Sequence, residues 1–378
     1  MFSTNHKNFT LKMKRTIRIC AFALIISLSC IQGVIAESKF DCKYIDASKL
    51  TVINKATETT QQWHRIEESK YEMPKKSREF LHHSTGIAIA FRTNSRAIHA
   101  HWINTSTRFA DNATPILHSG LDLYILENGE WVFAGIARPS TKGYNEHEST
   151  IVQNMDGSMK ECILYMPMFN EVEKLEIGVE MEANIEPIPS PFKNRILVIG
   201  SSITHGASAC RPGASYVSRL GRALNAETPN VGLSGMCRLD DYFADIICNT
   251  QADAYILDAF SNSSAEDIND RLYRFVERIR KTHPKKPIIF LQTLKRDIGH
   301  FNIGARRHNE YQRAAAETVM AKVCEDFPDV YFINPGLYPG NDHEGTIDGT
   351  HLNDLGTQRT IEMIVPKIKK IFKNYGIK

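Results

Sequence analysis

Two short segments about 150 residues apart hold side chains suited to acyl transfer. Gly200-Ser201-Ser202-Ile203-Thr204-His205-Gly206 follows the apolar run Arg195-Ile196-Leu197-Val198-Ile199, and Asp348-Gly349-Thr350-His351 precedes the last helix-like stretch. A buried strand that ends in glycine and a hydroxyl-bearing turn delivers a serine to the carboxyl edge of a parallel sheet, where open α/β folds place their sites. A serine hydroxyl is a weak nucleophile until a base takes its proton. Asp348 and His351, three apart, are expected on one side of a helical turn, the carboxylate holding the imidazole while the imidazole faces the serine. These are the parts of a serine esterase.

The elements that must position them change character near residue 190. Before it come short alternating segments, Gly86–Arg92, Ala97–Trp102, Leu121–Ile125, Trp131–Ala134 and Cys162–Met166, separated by Asn, Gly, Ser and Pro clusters. Strands at that spacing, with no helix evident between them, predict a β-sandwich. Ile185-Glu186-Pro187-Ile188-Pro189-Ser190-Pro191 reads as a stiff connector, because each proline biases the preceding residue toward extended geometry. After it, apolar runs at 195–200, 228–233, 254–259, 286–292 and 329–334 alternate with amphipathic stretches at 213–225, 238–249, 266–282, 305–326 and 353–374. That alternation predicts an α/β fold with a doubly wound parallel sheet, preceded by the sandwich. A chain of 378 residues exceeds the usual single core, so two domains are expected, 37–190 and 191–378.

Residues 1–36 read as a secretory signal peptide. Lys12, Lys14, Arg15 and Arg18 precede the apolar stretch Ile19–Ser29, and Val34-Ile35-Ala36 offers a small-residue cleavage site, with Met13 an alternative start. An exported protein, periplasmic or secreted, is expected. Cys30 raises lipid anchoring as an alternative, although Ser27-Leu28-Ser29 matches a lipobox poorly. The apolar stretch is short for a bilayer, and the mature chain has no candidate span. The full chain carries +3; residues 1–36 hold five basic side chains and no acid, so the remainder carries about −2. Nothing there suggests a nucleic-acid partner. The six remaining cysteines, Cys42, Cys162, Cys210, Cys237, Cys248 and Cys324, show no zinc spacing and fix no pairing. Buried free thiols are expected for Cys248 and Cys324.

The second half resembles the SGNH (GDSL-like) hydrolases, named for four blocks that supply Ser, Gly, Asn and His. Gly200–Thr204 is similar to the first block, which implies that Ser202 is the nucleophile. Asn230-Val231-Gly232-Leu233-Ser234-Gly235 resembles the second, whose last glycine, here Gly235, donates a backbone N–H. Asp258-Ala259-Phe260-Ser261-Asn262 falls where the third places its asparagine, and Asp348–His351 matches the fourth. The first half resembles the GxDLY-type β-domain through Ser119-Gly120-Leu121-Asp122-Leu123-Tyr124 and Leu164-Tyr165-Met166-Pro167-Met168-Phe169-Asn170. Two positions depart from the pattern. Ser201 stands where the family often has Asp, and the third block lacks the Gly-x-Asn-Asp form, which bears on Asn262.

The resemblance implies an oxyanion hole made by the N–H groups of Ser202 and Gly235 and the amide of Asn262, with His351 as base and Asp348 orienting it. No cofactor and no metal are called for. Each residue also has a plainer role. A serine after a strand commonly caps a helix, which is the default for Ser201, Ser208, Ser261 and Ser263 and an alternative for Asn262. Gly232 and Gly235 could simply permit a turn. Asp342 or Glu344 could orient His351 instead, and Asp342, His343 and Glu344 form only a loose candidate metal cluster. His205 is expected at the rim. Trp63, His99, His101, Trp102 and Trp131 invite sugar stacking, but strand alternation favours core packing. The expected substrate is an acylated oligosaccharide or polysaccharide that loses small acyl groups. A lipase or thioesterase for longer chains, and a non-catalytic glycan-binding protein, are the alternatives.

Overall fold

A computed structural model describes residues 41–335 and 339–378. The signal-peptide and Cys30 expectations fall outside the described residues. The first half contains β1 (Cys42–Asp46), β2 (Thr51–Ile53), β3 (Ala88–Thr93), β4 (Ile98–Asn104), β5 (Leu121–Glu127), β6 (Glu130–Ala137), β7 (Glu146–Val152), β8 (Lys160–Tyr165), β9 (Val172–Glu180) and β10 (Ile185–Pro187). One sheet runs β1-β9-β4-β7; the other runs β10-β3-β8-β5-β6, with β2 beside β3. Alternation sends Ile98, Ala100 and Trp102 of the first sheet into one core with Ile89, Phe91 and Leu123 of the second. This is the expected sandwich.

Two local expectations fail here. Ile185–Pro187, the start of the expected connector, is strand β10, antiparallel to β3 at the sheet edge, where a proline's missing N–H costs no ladder bond. A helix also forms at Lys75–His82. It buries only Ser77 and Leu81, so no apolar period repeats along its two turns for a sequence reading to detect.

The second half is built on β11 (Asn194–Gly200), β12 (Ala226–Glu227), β13 (Asn230–Gly232), β14 (Ala254–Asp258), β15 (Ile288–Leu291) and β16 (Val330–Ile333), all paired in parallel. β12 and β13 are two pieces of one sheet position, pairing opposite ends of β11. In chain order the sheet therefore runs 2-1-3-4-5, with its switch point between β11 and β14. Consecutive residues of β11 point to opposite faces. Leu197 and Ile199 pack with Phe243, Leu272 and Val276, while Ile196 and Val198 pack with Leu220, Ile364 and Ile368. Helices on both faces make the sheet doubly wound, as the alternation predicted.

The halves meet through buried polar groups. Along β5, Leu121 and Leu123 enter the sandwich core, and Asp122 and Tyr124 point the other way. The Asp122 carboxylate, fully buried, accepts from Arg211 Nη1 at 2.7 Å and from the Gly213 N–H at 2.8 Å. The Tyr124 hydroxyl accepts from Arg211 and Arg222, and the Arg222 guanidinium lies 4.0 Å from the Tyr124 ring centre. Burial pushes the Asp122 carboxyl above its usual range, against the pull of Arg211 and the Gly213 N–H. Arg65, also fully buried, donates to the carbonyls of Asn230 and Gly232 at the end of β13 and to that of Phe80. Cys162, Cys210, Cys237, Cys248 and Cys324 are free thiols, and Cys248 and Cys324 are half-buried rather than buried.

Candidate active site

β11 ends at Gly200, and the next residues turn at once into a single helical turn, Ser202–His205. Ser202 is its first residue, so its N–H precedes any intrahelical bond and its hydroxyl projects from the sheet edge. Ser201 occupies the cap position, but its side chain makes no capping bond. Ser202 Oγ lies 2.8 Å from His351 Nε2, and His351 Nδ1 lies 2.7 Å from Asp348 Oδ2. With the Nδ1 proton donated to Asp348, Nε2 is free to accept the serine proton.

Asp348 and His351 do not share a helical turn. They form a bend in which Asp348 Oδ1 accepts the backbone N–H groups of Thr350 and His351, at 3.0 and 2.8 Å. Gly349 has φ +81°, and a Cβ there would fall 2.8 Å from Ile298, so glycine is required on both counts. The side chain thus folds back on its own chain, as aspartate readily does, and its second oxygen is left for the imidazole. Partial burial alone would raise Asp348, but the N–H groups of His351 and Thr350 and the imidazole outweigh it and hold the carboxyl below its usual range. Asp342 is paired to Arg359 at 2.8 Å and His343 to Asp297 at 3.0 Å, and the carboxylate that meets the His351 imidazole is that of Asp348.

Beyond β13, Met236 N–H donates to the Leu233 carbonyl at 3.0 Å and Gly235 takes φ +74°, a turn geometry that favours glycine. The N–H groups of Ser202 and Gly235 have no partner among the described residues. Asn262, past the end of β14, lines the same cleft and donates one amide proton to the Met236 carbonyl at 2.6 Å, leaving the other unassigned. It does not cap the following helix, because Ser264 does, in a reciprocal capping box with Asp267. Ser261 and Ser263 bond Asp258 and the Ala259 carbonyl instead of capping.

His205 departs from its expected place at the rim. It is fully buried, stacked on Phe169 at 4.3 Å, with Nε2–H donating to the Met168 carbonyl at 3.0 Å and Nδ1 accepting from Ser234 N–H and Oγ. Burial holds its pKa well below the usual range, so it stays neutral. It ties the sandwich segment at Met168 to the turn that carries Gly235.

These groups face a cleft of about 450 Å³. Its floor comes from the second half, and its opposite wall from Lys76, Phe80, Ala110, Asn112 and Phe169 of the first. Asn112 Nδ2 comes within 3.4 Å of His351 Nδ1. Trp63, His99, His101, Trp102 and Trp131 take no part in the lining, and Trp63 and Trp102 are core residues. Sequence reading missed Lys76, Asn112 and Arg296 because they lie on loops and a short helix without periodicity; Phe169, in the segment Leu164–Asn170, carries no local signal of its place in the cleft. Away from the cleft, His64, His82 and Glu171 bring nitrogen and oxygen atoms within 4.8 Å of one another. The two imidazoles stack at 4.3 Å with planes 12° apart, so their in-plane lone pairs do not converge on one ion.

This fold, with its preceding sandwich, is that of the SGNH-type hydrolases. Residues 193–369 match the GDSL-like lipase/acylhydrolase family, and residues 42–185 match GxDLY, the N-terminus of SGNH-hydrolase-type esterases. A solved protein from Bacteroides ovatus described as a GDSL-like lipase is 41% identical, with a TM-score of 0.85 over 88% of this chain and 98% of its own. The chain belongs to this SGNH (GDSL-like) family of esterases and acylhydrolases. Two more distant structures share the fold. A salicylyl-acyltransferase from a tetracycline biosynthetic pathway is 18% identical, TM-score 0.69, over 87% of this chain and 97% of its own. A family two carbohydrate esterase from Cellvibrio japonicus is 13% identical, TM-score 0.58, over 88% and 98%. Comparison with curated proteins gives no match.

Proposed function

We propose that the protein is an exported carbohydrate esterase that removes small acyl groups, acetyl foremost, from an oligosaccharide or polysaccharide. The observation that carries this reading is the hydrogen-bonded run from Ser202 through His351 to Asp348 at the sheet's switch point. In it, Ser202 Oγ attacks the acyl carbon while His351 Nε2 takes its proton, and Asp348 stabilises the imidazolium that results. The carbonyl oxygen becomes an oxyanion held by the N–H groups of Ser202 and Gly235 and the Asn262 amide, each worth about 3 kcal/mol in the transition state. His351 returns the proton to the departing sugar oxygen, leaving an acyl-enzyme. Water then attacks the acyl carbon, His351 takes the water's proton, and the carboxylic acid leaves as Ser202 is re-protonated.

The sugar preference is supported by likeness of fold to carbohydrate esterases, including one from Clostridium thermocellum solved with cellohexaose, and such likeness is a weaker support than the site chemistry. Export is supported by the basic and apolar character of residues 1–36. No helix among the described residues is long and apolar enough to cross a membrane. The division into domains at 37–190 and 191–378 is part of the same proposal.

The test is release of acetate from acetylated polysaccharides and from a chromogenic acetate ester. Ser202→Ala should lower turnover by roughly a thousandfold or more and leave the melting temperature close to wild type, because it removes one oxygen at a sheet edge. A folded Ser202→Ala protein that keeps more than a few per cent of wild-type turnover (~3%) overturns the mechanism.

A further inference from the structure

The side chains that line the cleft include two cations and no carboxylate, namely Lys76 on the wall from the first half and Arg296 on the floor beside Ser261 and Asn262. Lys76 Nζ lies 5.6 Å from the Phe80 ring centre, a cation–π contact within the same wall. Arg296 donates from Nη2 to the Ser261 carbonyl, and its remaining guanidinium N–H groups and the Lys76 ammonium have no hydrogen-bond or ion-pair partner among the described residues. The nearby acids are accounted for. Asp348 is engaged by His351, Asp258 lies buried beneath the floor on Thr204 and Ser261, and Asp111 is exposed and outside the lining. Arg296 is half-buried, and burial lowers its pKa against the pull of Asp258. A desolvated guanidinium whose acid, Asp258, lies beneath the floor and makes no ion pair with it gains from an anion on the cleft side, and a cleft lined by one sign of charge between low-dielectric walls focuses its field on what enters.

We infer that the substrate carries a carboxylate on the sugar that bears the acyl group, as in an O-acetylated uronic acid, and that Arg296 binds it while Lys76 closes over it from the opposite wall. A planar fork of donors suits a carboxylate, and the Ser261 bond fixes the fork's position relative to Asn262 and so to the reacting ester. Arg296 acts here as a specificity residue and takes no part in the bond changes. The inference rests on the esterase reading and deepens it.

The test compares three acetyl esters in the wild-type protein, those of methyl glucuronoside, its neutral carboxyl methyl ester, and methyl glucoside. The acid should be preferred roughly 10- to 100-fold in kcat/KM over both neutral compounds, and the preference should shrink as salt is raised. Arg296→Gln should collapse the ratio of acid to neutral substrate toward one, and Arg296→Lys should restore part of it, a change in selectivity that a loss of folding alone does not produce. Equal kcat/KM for the acid and its methyl ester in the wild type overturns the inference, as does an Arg296→Gln variant that slows acid and neutral esters by the same factor. Absence of turnover on every acetyl ester, chromogenic acetate included, would instead remove the esterase reading beneath it.

Discussion

The two sides of the cleft are built by different means. The floor is made at the ends of parallel strands, where Gly200, Gly232 and Asp258 stand in register on neighbouring positions and bring Ser202, Gly235 and Asn262 to one edge. The wall is made by the helix Lys75–His82, the loop at Ala110–Asn112 and Phe169, none of them in a sheet ladder. Groups that must meet a reacting carbon benefit from rigid elements, while groups that select a substrate tolerate loops. What steadies the wall is a set of buried polar ties: Asp122 to Arg211 and Gly213, Arg65 to the end of β13, and His205 between Met168 and Ser234.

Breaking a tie should separate the two contributions most strongly. Asp122→Ala removes a fully buried carboxylate and leaves Arg211 without it, so unfolding free energy should fall by about 3–5 kcal/mol in denaturant titration. Because the floor keeps its own ladder, turnover per folded molecule should stay within about tenfold of wild type. A stable variant with turnover lost as severely as in Ser202→Ala would mean that the join, and not the floor, holds the catalytic geometry.

The floor can be probed without touching the join. Asn262→Ala should lower turnover about a hundredfold to a thousandfold with a much smaller change in KM, since an oxyanion donor acts chiefly in the transition state. Ser264 already caps the following helix, so its melting temperature should move little. Near-normal turnover would leave only the Ser202 and Gly235 N–H groups as donors.

A smaller effect distinguishes the floor by pH. Asp258 is buried under the Ser202 turn, and burial raises its pKa to about 6 despite hydrogen bonds from Thr204 and Ser261 and the charge of Arg296. In the unfolded chain the group titrates near 4, so between about pH 4 and 6 the folded protein binds the extra proton. Stability from this group is therefore full below that window, falls as pH rises through it by up to about 3 kcal/mol, and is level above it. Asp258→Asn should flatten that part of the curve of unfolding free energy against pH. An unchanged slope would show that Asp258 does not carry the proton.

Much of the floor is legible in the chain because its cues are local. Strand-helix alternation marked all five sheet positions, and a chain-local Asp-x-x-His places carboxylate and imidazole together wherever the segment lies. Even there the backbone form differs from the expected helical turn, since a glycine at positive φ and an aspartate accepting its own chain's N–H groups make a bend. The wall was almost silent. Lys75–His82 is too short and too polar to show a period, and Pro187 disguised an edge strand as linker, whereas strand alternation did place Trp63 and Trp102 in the core.

By itself the sequence determined the two layered architectures, the serine-bearing strand end and the local pair that faces it, because side-chain periodicity and short-range hydrogen bonding depend on neighbours in the chain. Only the tertiary structure decided which loops close the cleft, that Asp122 and His205 are ties, and that Lys76 and Arg296 face the same space. Those residues are separated by up to hundreds of positions, and their convergence follows from the docking of one core against the other, which no local pattern encodes.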